Sequence, residues 1–309
     1  MIDTSCNLLY VMGDQEEAVN DRILMGLLHL GWEIGRNLFV VPDKCHFHYS
    51  YTLPLIHVDI RRLKMKLEDG FFNFALVGNV NQSTHLSSAY NYLFESFKEI
   101  PVAHVVEQPV REPVWDYVPI HIAVTFYEKK YHDLHGYPIN YGLLPYEIPE
   151  TFSEVERPID VFFAGRGDDI RNEYVRKLRE MGYRMVFGDK VEFAHEHYLK
   201  LLRYSLIAPI FPTIQPILAR TVETPGQGVC TLMWDFRGEV EMWRCFEEGN
   251  QVVFFKDWDD FVIKLHELES DIPKAMAIAQ RGYEFVRENH MVYHGTRYVL
   301  DTLEALSHG

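Results

Sequence analysis

Short apolar runs alternate with amphipathic segments along this chain of 309 residues, and the alternation is played out twice. No other feature narrows the fold as far. In the first half the runs are 8–12 (LLYVM), 38–41 (LFVV), 74–77 (FALV), 102–106 (VAHVV) and 120–125 (IHIAVT). The first reads as a buried strand and the others as further strands of the same sheet. Residues 21–30 place apolar side chains at helical spacing, giving strand, loop, helix, strand. An aromatic, Gly/Pro-broken passage at 131–144 and a proline- and glutamate-rich stretch at 145–158 then interrupt the pattern, which puts a domain boundary near residue 152.

The rhythm restarts at 159–164 (IDVFFA) and continues through a helix at 170–181, with Ile170, Tyr174, Leu178 and Met181 on one side. A strand at 183–187 ending at Gly188, a helix at 193–204 and the apolar run 206–212 (LIAPIFP) follow. Next come a short helix within 221–229 (TVETPGQGV), a strand at 229–234, a helix at 239–248 and a last strand at 251–255. Three helices, 258–269, 273–290 and 296–307, close the chain without strands between them.

Strand, loop, helix, Gly turn, strand around 206–234 is one crossover of a parallel sheet, and open sheets of this kind bind ligands at their carboxyl edge. Glu223 near a helix start, beside Arg220, suits a ligand that carries both a diol and a phosphate, as the ribose and diphosphate of a nucleotide do. A plain helix start with a surface arginine fits the same residues. Gly165 and Arg166, at the end of another strand, suit close approach to a phosphate. On the first half, Asp14, His85 and Glu107 fall on strand-end loops where a general base can stand, although Asp14 equally suits a helix cap and His85 an ordinary turn. His46 and His48 would share one face of a strand, but no third ligand at metal-site spacing accompanies them, so packed or exposed histidines are expected there rather than metal.

Charge excludes more than it identifies. The net charge of −15 is even, with 11 basic and 19 acidic residues in 1–150 (−8) and the rest in the remainder (−7). That disfavours nucleic acid, for which a positive stripe is normal. The one dense basic run, 61–66 (RRLKMK), reads as the wet face of a helix. Four cysteines without a C-x-x-C pair indicate neither a disulfide framework nor a zinc knuckle. The first residues lack the basic region of a secretory signal, and no apolar run reaches the roughly 18 residues of a membrane span. The expectation is a soluble cytoplasmic protein.

Taken in order, the segments FFAGRGDDIRNEYVRKLREMGY, LLRYSLIAPIFP, ARTVETPGQGVCTLMWD, CFEEGNQVVFFKDWDDFVIKL and AIAQRGYEFVRENHMVYHGTRYVLDTL resemble glycosyltransferases of the spore-maturation-protein (CgeB-like) type, relatives of the group 1 glycosyl transferases. The likeness runs over about residues 100–307, carried by Gly165, Arg220 with Glu223, Gly228, Gly249, and Gly282 with His290 and Arg297. It implies an α/β fold of two Rossmann-like domains facing a central cleft, the GT-B architecture. Residues 1–152 would form the acceptor domain, 153–292 the nucleotide-sugar domain, and 293–309 a helix packing back on the first. It further implies a nucleotide-sugar donor, UDP-sugar first, with Glu223 on the ribose, Arg220 and the Gly165-Arg166 loop near the diphosphate, and Gly188 and Thr221 also at the donor site. One departure stands out: residues 224–227 (TPGQ) follow the glutamate where small and apolar residues are usual in that family.

The function expected is sugar transfer from a nucleotide-diphosphate donor without a prosthetic group or bound metal, the charge of the leaving diphosphate being met by Arg220, Arg166 and the backbone amides after Gly165. The acceptor (small molecule, glycan, protein or nucleic acid) stays open. So do two alternatives: a catalytically degenerate partner-binding protein of the same fold, and a sugar-nucleotide epimerase.

Overall fold

The computed structural model describes residues 2–11, 18–41, 60–78, 97, 100–106, 120–123, 142–152, 156–164, 169–183, 185–186, 195–212, 219–239 and 242–307. The chain divides into two compact units, Met1–Tyr141 with Val292–Gly309, and Gly142–Met291. Unit 2 therefore begins ahead of the proline-rich break at residue 152, and the last helix is grouped with unit 1.

Unit 1 carries β1 (Leu8–Val11), α1 (Ala18–His29), β2 (Leu38–Val41), α2 (Ile60–Glu68), β3 (Phe74–Val77), β4 (Val102–Val106) and β5 (Ile120–Ala123). Its strands form one sheet in the order β2-β1-β3-β4-β5, every pairing parallel. All four residues of β1 are buried, as a strand covered on both faces requires. Leu9 and Val11 join Leu63 and Leu67 of α2 and the rings of Phe72 and Phe97 in one core. The basic run lies on α2 with Arg61 and Arg62 exposed and Leu63 and Leu67 inward, while the Lys66 ammonium sits 3.5 Å from the Phe71 ring centroid.

Unit 2 carries β6 (Ile159–Phe162), α3 (Asp169–Glu180), β7 (Met185–Val186), α4 (His195–Arg203), β8 (Ser205–Ile210), α5 (Arg220–Gly226), β9 (Cys230–Trp234), β10 (Val253–Phe255), α6 (Trp258–Ser270) and α7 (Ile272–Asn289); α8 (Val292–Ser307) returns to unit 1. Its sheet runs β10-β9-β8-β6-β7, again wholly parallel. Counted from its own first strand this is the same 2-1-3-4-5 order as in unit 1, so the chain folds as two Rossmann-like α/β halves. Successive residues of β6 face opposite ways. Val161 and Phe163 pack with α3, α6 and α7, and Phe162 and Ala164 with Leu199 and Leu202 of α4.

Two sequence expectations are corrected here. Where a helix is expected over 239–248, the described residues 239 and 242–248 form turns and irregular chain. Arg244 adopts a left-handed backbone (φ 48°), and its carbonyl is held 2.8 Å from His290 Nε2, where it cannot serve a helical ladder. On α3 the inward stripe is Arg171, Tyr174, Val175 and Leu178; Ile170 and Met181 stand outside it, 51% and 41% exposed.

The edge strand β10 is protected by side chains. Glu248 accepts from the Phe254 backbone N–H at 2.7 Å and Lys264 donates to the Phe254 carbonyl at 2.5 Å. Both outward backbone groups of that residue are thereby taken, and such an edge offers less to another strand.

Cys230, on β9, is fully buried, and burial pushes its thiol from 9.0 up to about 12. The Tyr183 and Tyr198 phenols are likewise raised by burial. A group whose folded pKa is raised contributes stability that is complete below its unfolded value and lost as pH climbs through the folded one. Each such proton costs at most about 1.4 kcal/mol per pH unit. The melting temperature should therefore fall between pH 8.5 and 10.5. Over the native range iodoacetamide should leave Cys230 unmodified until the chain is unfolded, which peptide mapping reads directly.

Candidate active site

In a 2-1-3-4-5 sheet the chain leaves the first and third strands in opposite directions, opening a crevice beyond their carboxyl ends. In unit 2 those strands are β6 and β8. Three segments converge there: Phe163, which continues β6; Tyr198, in the first half of α4; and α5, which follows β8.

On α5, Glu223 is 7% exposed, with Thr221 and Thr224 at 1% and 2% beside it. A carboxylate is seldom buried this far in a helix with no role, because its hydration must be replaced. Arg220 is half-buried one turn earlier. Its guanidinium carbon lies 5.7 Å from the Phe163 ring centroid and 5.9 Å from that of Tyr198, within the range at which aromatic faces attract a cation. Among the described residues no carboxylate pairs with Arg220. The Tyr198 hydroxyl is reached by the side chains of Thr224 and Arg220, and its ionisation is pushed up by burial first and then by the Glu223 charge. Positive charge, buried carboxylate and hydroxyls thus share one side of a short helix.

The unusual 224–227 segment is packing. Pro225 lies inside α5 near its end. A Cβ placed on Gly282 of α7 would stand 2.6 Å from the Gln251 carbonyl oxygen and 3.3 Å from the Pro225 Cβ, so the missing side chain at 282 makes room for the ring. Gln227, 2% exposed, accepts from Arg203 Nε at 2.7 Å and donates to the Glu147 carbonyl at 2.7 Å. Gly228 takes a left-handed turn (φ 69°) into β9. Two further marks of the family pattern also have structural work. The His290 ring lies among Trp243, Phe246 and Phe285, and Arg297 donates to the Ile2 carbonyl at 2.6 Å.

Of the residues singled out in the sequence, Arg220, Thr221 and Glu223 are brought together at this crevice. Gly165, Arg166 and Gly188 lie outside the described residues, as do Asp14, His85, Glu107, His46 and His48. Phe163 and Tyr198 were missed. Nothing in the spacing of HEHYLKLLR sets Tyr198 apart, since its partners lie on α5 and are joined to it only by the fold. Among the described residues no group of three or more His, Cys, Asp or Glu could hold a metal, and no helix is long and apolar enough to cross a membrane.

Solved structures of the GT-B fold match nearly the whole chain, and two parallel sheets in tandem agree with that fold. An alpha-glucosyltransferase in complex with UDP and a 13-mer DNA aligns with a TM-score of 0.63 at 12% identity, covering 97% of this chain and 99% of that one. Sucrose-phosphate synthase from Thermosynechococcus elongatus gives 0.57 at 9% identity, over 98% and 100%. A protein assigned as a UDP-N-acetylglucosamine 2-epimerase from Listeria monocytogenes gives 0.50 at 11% identity, over 97% and 96%. In sequence, residues 170–301 match the model of the glycosyl transferase-like family. No curated protein matches the chain.

Proposed function

We propose that this protein is a cytoplasmic glycosyltransferase of the spore-maturation-protein type that moves a sugar from a nucleotide-diphosphate donor, a UDP-sugar first, to an acceptor held by the first domain. The observation that carries this is the pair on α5: a buried glutamate beside an arginine that, among the described residues, pairs with no carboxylate, at the switch point of the second sheet. Glu223 accepts hydrogen bonds from the ribose hydroxyls. Arg220 meets the diphosphate, where negative charge grows as the bond from the anomeric carbon to the phosphate oxygen breaks. Arg166 and the backbone near Gly165 and Gly188 complete the phosphate site, with Thr221 lining it. The acceptor's proton goes to Asp14, His85 or Glu107, tested in that order. No metal is needed if cationic and backbone groups carry the leaving charge.

The test is turnover. Purified protein is incubated with labelled UDP-glucose, UDP-galactose and UDP-N-acetylglucosamine, with and without EDTA and with a pool of cell-extract acceptors. Sugar transferred or hydrolysed above background in EDTA supports the reading, as does loss of that turnover in Arg220→Ala. Conversion of the donor to its epimer, with neither transfer nor hydrolysis, replaces the reading by an epimerase. Nucleotide binding with no turnover of any kind replaces it by a degenerate binding protein.

A further inference from the structure

We infer that Tyr198 is the positioning residue for Arg220, holding the guanidinium toward the donor's diphosphate and away from the glutamate on its own helix. This rests on the reading of Arg220 as the diphosphate ligand. Arginine and glutamate three residues apart on a helix are neighbours and ordinarily attract one another. Here Arg220 is instead flanked by two rings, Phe163 at 5.7 Å and Tyr198 at 5.9 Å, and is paired with no carboxylate among the described residues. A guanidinium is weakly hydrated and stacks on aromatic faces at little desolvation cost, so the rings hold it without neutralising it.

Tyr198 does more than Phe163 because it has a hydroxyl. That group is reached by Arg220 and by Thr224, which are four apart and so lie on one face of α5. The ring itself rests beside that of Phe162, 6.2 Å between centroids, and Phe162 is fully buried in β6. A single tyrosine thus links the floor of the sheet to both ends of the helical turn that carries Glu223. A phenylalanine at 198 keeps the ring contacts and removes only that link.

The experiment uses the full chain as wild type, Tyr198→Phe, Arg220→Ala and the double variant. Calorimetry gives Kd for UDP, and competition gives Kd for uridine, which has the base and ribose but no phosphate. Tyr198→Phe should weaken UDP roughly tenfold, the scale of one hydrogen bond to a charged group. It should leave uridine and the melting temperature unchanged, and add nothing in the Arg220→Ala background. Unchanged UDP affinity, equal weakening of UDP and uridine, or additive effects in the double variant would overturn the inference while leaving the donor site standing. Wild-type protein that binds none of UDP, GDP, dTDP and ADP would overturn the donor reading itself, and this inference with it.

Discussion

Replacing Gly26 by alanine should destabilise unit 1 by about 3 kcal/mol or more, at the upper end of what an overpacked core costs. Gly26 is buried within α1, and a Cβ there would stand 1.9 Å from Thr296 Oγ1, 2.7 Å from Thr296 Cβ and 3.0 Å from the Val292 carbonyl oxygen. Two effects of opposite sign compete. In an exposed helix the change would gain about 1 kcal/mol of helix propensity. Here the collision involves the neighbouring helix α8, including its backbone, so α1 and α8 must move apart and surrender their apolar contact. The collision should win, and the melting temperature should fall by roughly 6–12 °C at the usual conversion for chains somewhat shorter than this one. Thr296→Ala should restore part of the loss in a double variant, because it removes the nearer atom and leaves the Cβ. Gly238→Ala, where nothing lies within 4 Å, is the control and should change little. A Gly26→Ala protein that melts with the wild type would show that the two helices do not approach this closely.

What made most of this fold legible is that a strand buried on both faces leaves an unbroken apolar run, as in LLYV of β1 and SLIAPI of β8. Such runs depend on local composition alone. The misreadings arose where distant residues decide. A helix at 239–248 was a fair expectation from composition, yet the His290 ring takes the Arg244 carbonyl. Hydrophobicity alone runs the apolar stripe of α3 through Ile170 and Met181, whereas the inward face contains Arg171. At the site, Arg220 and Glu223 could be picked out because a charged pair beside a strand end is unusual locally. Tyr198 could not, since the residues it lies against are on a helix more than twenty positions further on. Pro225 departs from the family pattern. It is answered by Gly282, a residue that the same pattern already contained without its partner.

Replacing Glu223 by alanine should raise Kd for UDP roughly 10- to 100-fold, the range expected when hydrogen bonds to a charged group worth about 1.5–3 kcal/mol are lost. Loss of affinity alone would not identify the partner, because emptying a buried position can loosen α5 as a whole. The sugar hydroxyls supply the discriminating measurement. If the carboxylate accepts from the ribose diol, wild-type protein must prefer UDP to its 2′,3′-dideoxy analogue, and Glu223→Ala must bind the two alike. Glu223→Gln keeps the size of the side chain and one oxygen acceptor but drops the charge, so it should fall between the two on both scales. Arg220→Ala should behave in the opposite manner, weakening UDP while preserving the preference for the diol, since its contact is with phosphate. Two variants on one turn of one helix would then separate the two halves of the ligand. Preference for the diol that survives in Glu223→Ala would remove the ribose from this glutamate and leave its burial to be explained by packing alone.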